Sequence, residues 1–105
     1  MNNDIVAIKL DKERTLKFRR KELKRLENIF GKKISQINFE DIDIDGITKM
    51  IHAGLLHEDE SLTLEKAEEL IDSSDMSFGE LTKAVMDAFS ISMGGPRISG
   101  EETKN

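Results

Sequence analysis

Apolar residues recur along this chain with two different periods. Between Ile5 and Phe18 the pattern is close to two: Ile5-Val6-Ala7-Ile8-Lys9-Leu10 is rich in β-branched residues and Thr15-Leu16-Lys17-Phe18 alternates cleanly, with Asp11-Lys12-Glu13-Arg14 between them. The spacing predicts a short antiparallel hairpin over about residues 4–18, without the Asn-Gly or Asp-Gly pair that marks the tightest turns. Two strands alone are marginal in water, so such a ribbon must lie on helices.

From Arg19 onward the period is that of a helix. Leu23, Leu26, Ile29 and Phe30 share one face of a first helix, and Gly31 supplies its left-handed cap. Residues 32–40 read as a linker whose Ile34, Ile37 and Phe39 dip into the core. Ile47, Met50, Ile51 and Leu55 then form an apolar stripe at i, i+3, i+4 and i+8. His57 to Ser61 interrupt it, and Thr63 caps a further helix that turns Leu64, Ala67, Leu70 and Ile71 inward. A helix–turn–helix hairpin therefore occupies the middle of the chain. Near the end, Ser77 and Glu80 make a capping box and Met76 and Leu81 its hydrophobic staple. They open a helix striped by Phe78, Leu81, Ala84, Val85, Ala88 and Phe89. Gly94-Gly95-Pro96 breaks that helix, and residues 97–105 have almost nothing to bury. The expected fold is mainly α: a single small domain, residues 1–93, of three to four packed helices with a short N-terminal β-hairpin, followed by a flexible tail at residues 94–105.

Composition fits one modest core. With 105 residues, five Phe and neither Trp nor Tyr, the interior must be built from Leu, Ile, Met and Phe, which suits packed helices better than a β-sandwich. The absence of Cys removes disulfides, thiol catalysis and thiolate metal sites, and a cytoplasmic setting is the expectation. No run approaches the ~20 apolar residues that span a bilayer, and residues 1–10 lack the basic start and cleavage site of a signal peptide. The net charge of −5 conceals a polarity. Residues 9–33 hold eleven Lys or Arg against four Asp or Glu, a balance of +7, whereas residues 34–87 hold three against fourteen, a balance of −11. Such a dipole fits self-association, docking of a charged partner, or two segments that neutralise each other locally.

Candidate chemistry is sparse. Asp41-Ile42-Asp43-Ile44-Asp45-Gly46 matches the first half of an EF-hand calcium loop, but the position that needs a bidentate Glu is His52. The alternative has the three Asp facing water, Ile42 and Ile44 facing inward, and Asp45 capping the next helix. His52 and His57 are five residues apart and point about 140° from one another on a helix, so they do not converge on a metal. His57 fits the negative end of the helix dipole instead. The basic run Arg19-Arg20-Lys21-Glu22-Leu23-Lys24-Arg25 suggests phosphate, but Glu22 and Glu27 dilute it and no aromatic residues interleave to stack bases. No Ser, Thr or carboxylate stands in a motif with a base and an orienting group, so an enzyme is not expected, and no cofactor is implied.

The order of segments carries a resemblance. Leu16-Lys17-Phe18 leading into Glu22-Leu23-Lys24-Arg25-Leu26-Glu27 and Phe30-Gly31, then Ala53-Gly54-Leu55-Leu56-His57-Glu58-Asp59, Leu62-Thr63-Leu64-Glu65 and Leu70-Ile71-Asp72, resembles the small tail assembly chaperones of long-tailed bacteriophages and gene-transfer-agent particles over about residues 14–90. Two positions depart from that pattern: Ile51-His52 stands where an aromatic is frequent, and the first helix is unusually basic. The resemblance implies a non-enzymatic protein of the host-cell cytoplasm, absent from the mature virion, that binds the tape-measure protein and assists assembly of the tail-tube protein around it. It implies partner-binding residues in the family-like helix, Met50, Ile51, Leu55 and Leu56, with Arg20 and Arg25 for charged docking, and a Met-rich surface adaptable to a client. In many such systems a ribosomal frameshift adds a longer version beyond the position of Gly94. The alternative reading is a small phage or bacterial regulatory protein that binds nucleic acid or a protein partner through the basic helix 19–33. A third, a structural tail-completion subunit, predicts retention in purified particles.

Overall fold

Alternation in the first seventeen residues does produce a ribbon. In the computed structural model, which describes residues 5–92, strands β1 (Ile5–Lys9) and β2 (Glu13–Lys17) pair antiparallel in register from Ile5↔Lys17 to Lys9↔Glu13. Val6, Ile8 and Leu16 point to the core side, followed by Leu10 and Phe18 beyond the strand ends. The turn needs no Asn-Gly because Asp11 builds it otherwise: its carboxylate accepts from Arg14 Nε at 2.7 Å and Nη2 at 2.9 Å and from the Lys12 N–H at 2.9 Å. This fork holds the Asp11 carboxyl down from 3.8 to about 2, the Arg14 hydrogen bonds being the main cause.

Four helices complete the described chain: α1 (Arg20–Phe30), α2 (Ile44–Leu55), α3 (Leu64–Asp72) and α4 (Phe78–Ser92). The mainly helical single fold with an N-terminal hairpin is therefore as the periodicity predicts. Several of the expected caps are present. Gly31 closes α1 at φ 70°, a conformation that only glycine adopts without strain, and its N–H donates to Glu27 O at 2.8 Å. Thr63 Oγ1 accepts from the Lys66 N–H at 3.1 Å. Ser77 and Glu80 exchange bonds of 3.1 and 2.9 Å in a reciprocal capping box.

The linker is more ordered than its sequence suggests. It forms two short 3-10 turns, Ile34–Gln36 and Phe39–Asp41. Ile34 and Phe39 pack against the core, and the Phe39 ring lies 4.5 Å from that of Phe89. Ile37 sits instead in a surface cleft with Phe30 and Ile42. Two further expectations about helix starts need correction. Asp43, not Asp45, caps α2, its Oδ1 accepting from the Gly46 N–H at 2.9 Å, so the helix begins before the stripe that marks it in the sequence. Ile44 consequently lies on the outer side of the first turn and is 69% exposed. Phe78, at the first turn of α4, is 46% exposed and lies off the buried stripe of Leu81, Ala84, Val85 and Ala88.

Helix α2 is the centre of the molecule, touching α1, α3, α4 and β2, while α4 packs on both strands. Its Ile47, Met50, Ile51 and Leu55 are among the largest fully buried side chains, with Ile8, Leu16, Phe18, Leu26 and Val85 around them. No helix among the described residues is long and apolar enough to cross a membrane. The expected tail at residues 94–105 and Met93 lie outside the described residues.

Candidate partner-binding surfaces

The segment that resembles the phage family is the joint between helices and hairpin. Gly54 faces β2 so closely that a Cβ would stand 2.9 Å from Leu16 Cδ2 and 3.0 Å from Phe18 Cζ. His57 and Glu58, just past α2, then reach Thr15: the Thr15 N–H and Oγ1–H donate to Glu58 Oε2 at 2.9 and 2.7 Å, and the His57 Nε2–H donates to the Thr15 carbonyl at 2.9 Å. Arg14 Nη1 adds a 3.6 Å ion pair to Glu58. His57, directly after the Leu56 cap at the C-terminal end of α2 as expected, also closes a strand edge. His52 ties the helix to the next turn, its Nε2–H donating to Leu62 O at 2.7 Å, with Nδ1 buried and unbonded. Asp59 accepts from the Ser61 N–H and hydroxyl at 3.0 and 2.6 Å, which lowers its carboxyl below the ordinary range.

This geometry relocates the candidate apolar site. Met50, Ile51, Leu55 and Leu56 are all 5% exposed or less and form the core, so no surface for a partner exists there in this fold. Accessible apolar area lies elsewhere. An open groove of about 590 Å³ runs between the β1 edge and the start of α4, lined by Ala7, Ile8, Lys9, Glu13, Met76 and Glu80. At one end of it the Lys9 carbonyl accepts from Ser74 Oγ at 2.7 Å and the Lys9 N–H meets Met76 Sδ at 3.4 Å. Lys9 therefore presents its main-chain groups away from β2. By the alternation of an antiparallel pair, Ala7 and Ile5 point theirs to the same outer edge. The other edge of the ribbon is the one that Glu58 and His57 cover. Ile5, 42% exposed, and Phe78 are further accessible apolar residues of β1 and the α4 start.

A second surface is electrostatic. The two acids that dilute the basic run in the sequence are turned to main-chain duties: Glu22, only 5% exposed, accepts from the Arg19 N–H at 3.0 Å, and Glu27 accepts from the Ile34 N–H at 2.9 Å. What remains on the outside of α1 is Arg20, Lys21 and Lys24, with Arg25 half-buried. Lys21 is paired with Glu60, whose carboxyl is lowered first by that hydrogen bond and charge and then by Arg25. Arg20, Lys24, Lys32 and Lys33 have no carboxylate within ion-pair distance among the described residues. The two candidate cations are thus separated: Arg25 flanks Glu60, whereas Arg20 stands at the rim of a cleft of about 400 Å³ floored by Phe18, Leu23 and Ile91. Glu22, at the third helical position, bonds back to the Arg19 N–H, the carboxylate half of a capping box; because Arg19 has no side-chain acceptor to supply the other half, the sequence carries only part of the signal that would have removed Glu22 from the face.

No group of three or more His, Asp or Glu among the described residues is arranged to hold a metal ion, and Asp43 of the half calcium loop is engaged as a cap. No family model matches the sequence, and neither a curated protein nor a solved structure is significantly similar to it.

Proposed function

We propose that the chain acts without catalysis as a tail assembly chaperone of a long-tailed phage or prophage, working in the host-cell cytoplasm on the tape-measure protein and the tail-tube protein. One observation carries the reading. Of the residues that carry the resemblance, Gly54, His57 and Glu58 make the contacts that seat the hairpin against the end of α2, with Thr15 as their counterpart, and Thr63 caps α3.

The client surface assigned by this reading is the β1–α4 groove, since the apolar face of α2 is occupied. A client held there would add main-chain bonds to the outer edge at Ala7 and Ile5 and lay apolar side chains on Met76, an adaptable thioether. Co-expression with the tape-measure protein, followed by size-exclusion chromatography of the soluble fraction, tests it. The client is expected to become soluble and co-elute, and Met76→Glu is expected to abolish co-elution. An insoluble client with this protein eluting alone overturns the proposal.

A further inference from the structure

At the opposite end of α4 from that groove lies the cleft lined by Phe18, Arg19, Arg20, Leu23, Ile91 and Ser92. Along the helix axis Glu80 and Ile91 are about 16 Å apart, so the two surfaces do not merge. Three features of this second surface bear on its occupant. It is basic on a molecule of net charge −5, and its free cations Arg20 and Lys24 are four residues apart on one helical face. The acids of α1 do not compensate them, being bonded to the Arg19 and Ile34 N–H groups. Phe18, Leu23 and Ile91 form the apolar part of the cleft, beside Arg19, Arg20 and Ser92.

From these we infer that the Arg20–Lys24 face of α1 and its adjoining cleft dock an acidic segment of a partner protein, which pairs carboxylates with the two cations and inserts one apolar side chain over Leu23 and Ile91. Charge complementarity selects the acidic partner. Leu23 and Ile91 favour protein over nucleic acid, because a phosphate backbone gains nothing from them and no exposed aromatic ring of α1 offers a base a platform. Anchor and charges divide the labour: the cations draw the segment in, and burial of its apolar side chain slows its release.

The test uses the full chain and two fluorescein-labelled synthetic peptides of alternating Glu and Gly, one with a central Leu and one with Ser in its place, alongside a labelled single-stranded oligonucleotide of equal length. Fluorescence polarisation should show the Leu peptide bound, the Ser peptide bound about tenfold more weakly, and the oligonucleotide weakest. The double variant R20E/K24E, whose changes lie on the solvent side of α1, should lose the Leu peptide. Lys66→Glu on α3 should not. Equal affinity for both peptides, unchanged binding by R20E/K24E, tighter binding of the oligonucleotide, or no binding of the Leu peptide each overturns the inference.

Discussion

Helices α1 and α2 are neighbours of nearly equal length, yet they treat their side chains in opposite ways. Eight of the twelve residues of α2 are buried, including all of Ile47, Met50, Ile51 and Leu55, whereas α1 buries only Leu26 and Glu22. The helix carrying the family-like signature is the one with least surface to offer a partner. The helix that departs from the family pattern, by its basic run, is the one whose charges stand free. In a domain this small a core-forming helix cannot also be a docking face, so the candidate surfaces lie on other elements.

Truncation separates the two helices most sharply. Met50→Ala should cost about 2–5 kcal/mol, a large part of the 5–15 kcal/mol typical of a domain, whereas Leu23→Ala on half-buried α1 should cost about 1 kcal/mol. Urea unfolding of the pair checks this. Equal costs would mean that α1 is as much a core helix as α2. Gly54→Val should be comparably severe, because the β2 contacts that face Gly54 leave no room for a branched side chain.

At the joint the effect should be smaller. Thr15→Val keeps the size of the side chain and removes only the hydroxyl, so the loss should be about 1 kcal/mol, seen in urea unfolding and as faster amide exchange in β2 relative to α2. The Thr15 main-chain bonds to Glu58 and His57 remain in that variant. A strand β2 that exchanges as slowly as before would show that those bonds suffice.

How far the sequence discloses these roles depends on whether they are local. Caps at Gly31, Thr63 and Ser77 are legible because the cap and its recipient N–H lie within a few residues of each other. The α2 stripe is legible because burial follows its period. By contrast, the Thr15 bonds to His57 and Glu58 join residues more than forty positions apart, and no local pattern announces them. The same limit explains the misplaced site: Met50, Ile51, Leu55 and Leu56 read as an apolar face, and a periodicity does not say whether that face meets the protein's own strands or a partner. Ile44 escapes the alternation argument because an Asp cap two residues earlier than expected has already started the helix. The freedom of Arg20 and Lys24 is visible only in the folded chain, where Glu22 and Glu27 bond to the main chain and not to them.

Charge reversal on the outer face of α1 should leave stability almost untouched, within about 0.5 kcal/mol for Lys24→Glu, since no ion pair is lost. A larger loss would mean that Lys24 has a structural role and would blur the contrast between the two helices.

The smallest effect concerns the hairpin turn and is read by pH. Asp11 is depressed to about 2 by the Arg14 fork. A carboxyl with a lowered folded-state value contributes stability that is complete above its unfolded value near 3.8 and is lost as pH falls through about 2. The wild-type acid limb should therefore contain a component between about pH 4 and pH 2 that Asp11→Asn lacks. The variant should already be slightly weaker near neutral pH, and the two curves should converge at the acid end. Because the carboxylate is at the surface and screened, added salt should shrink the gap. The gap is also specific to the turn: Asp45, on the first turn of α2, has only a 4.0 Å ion pair with Lys49 in place of a bidentate fork, so Asp45→Asn should leave that component of the acid limb intact.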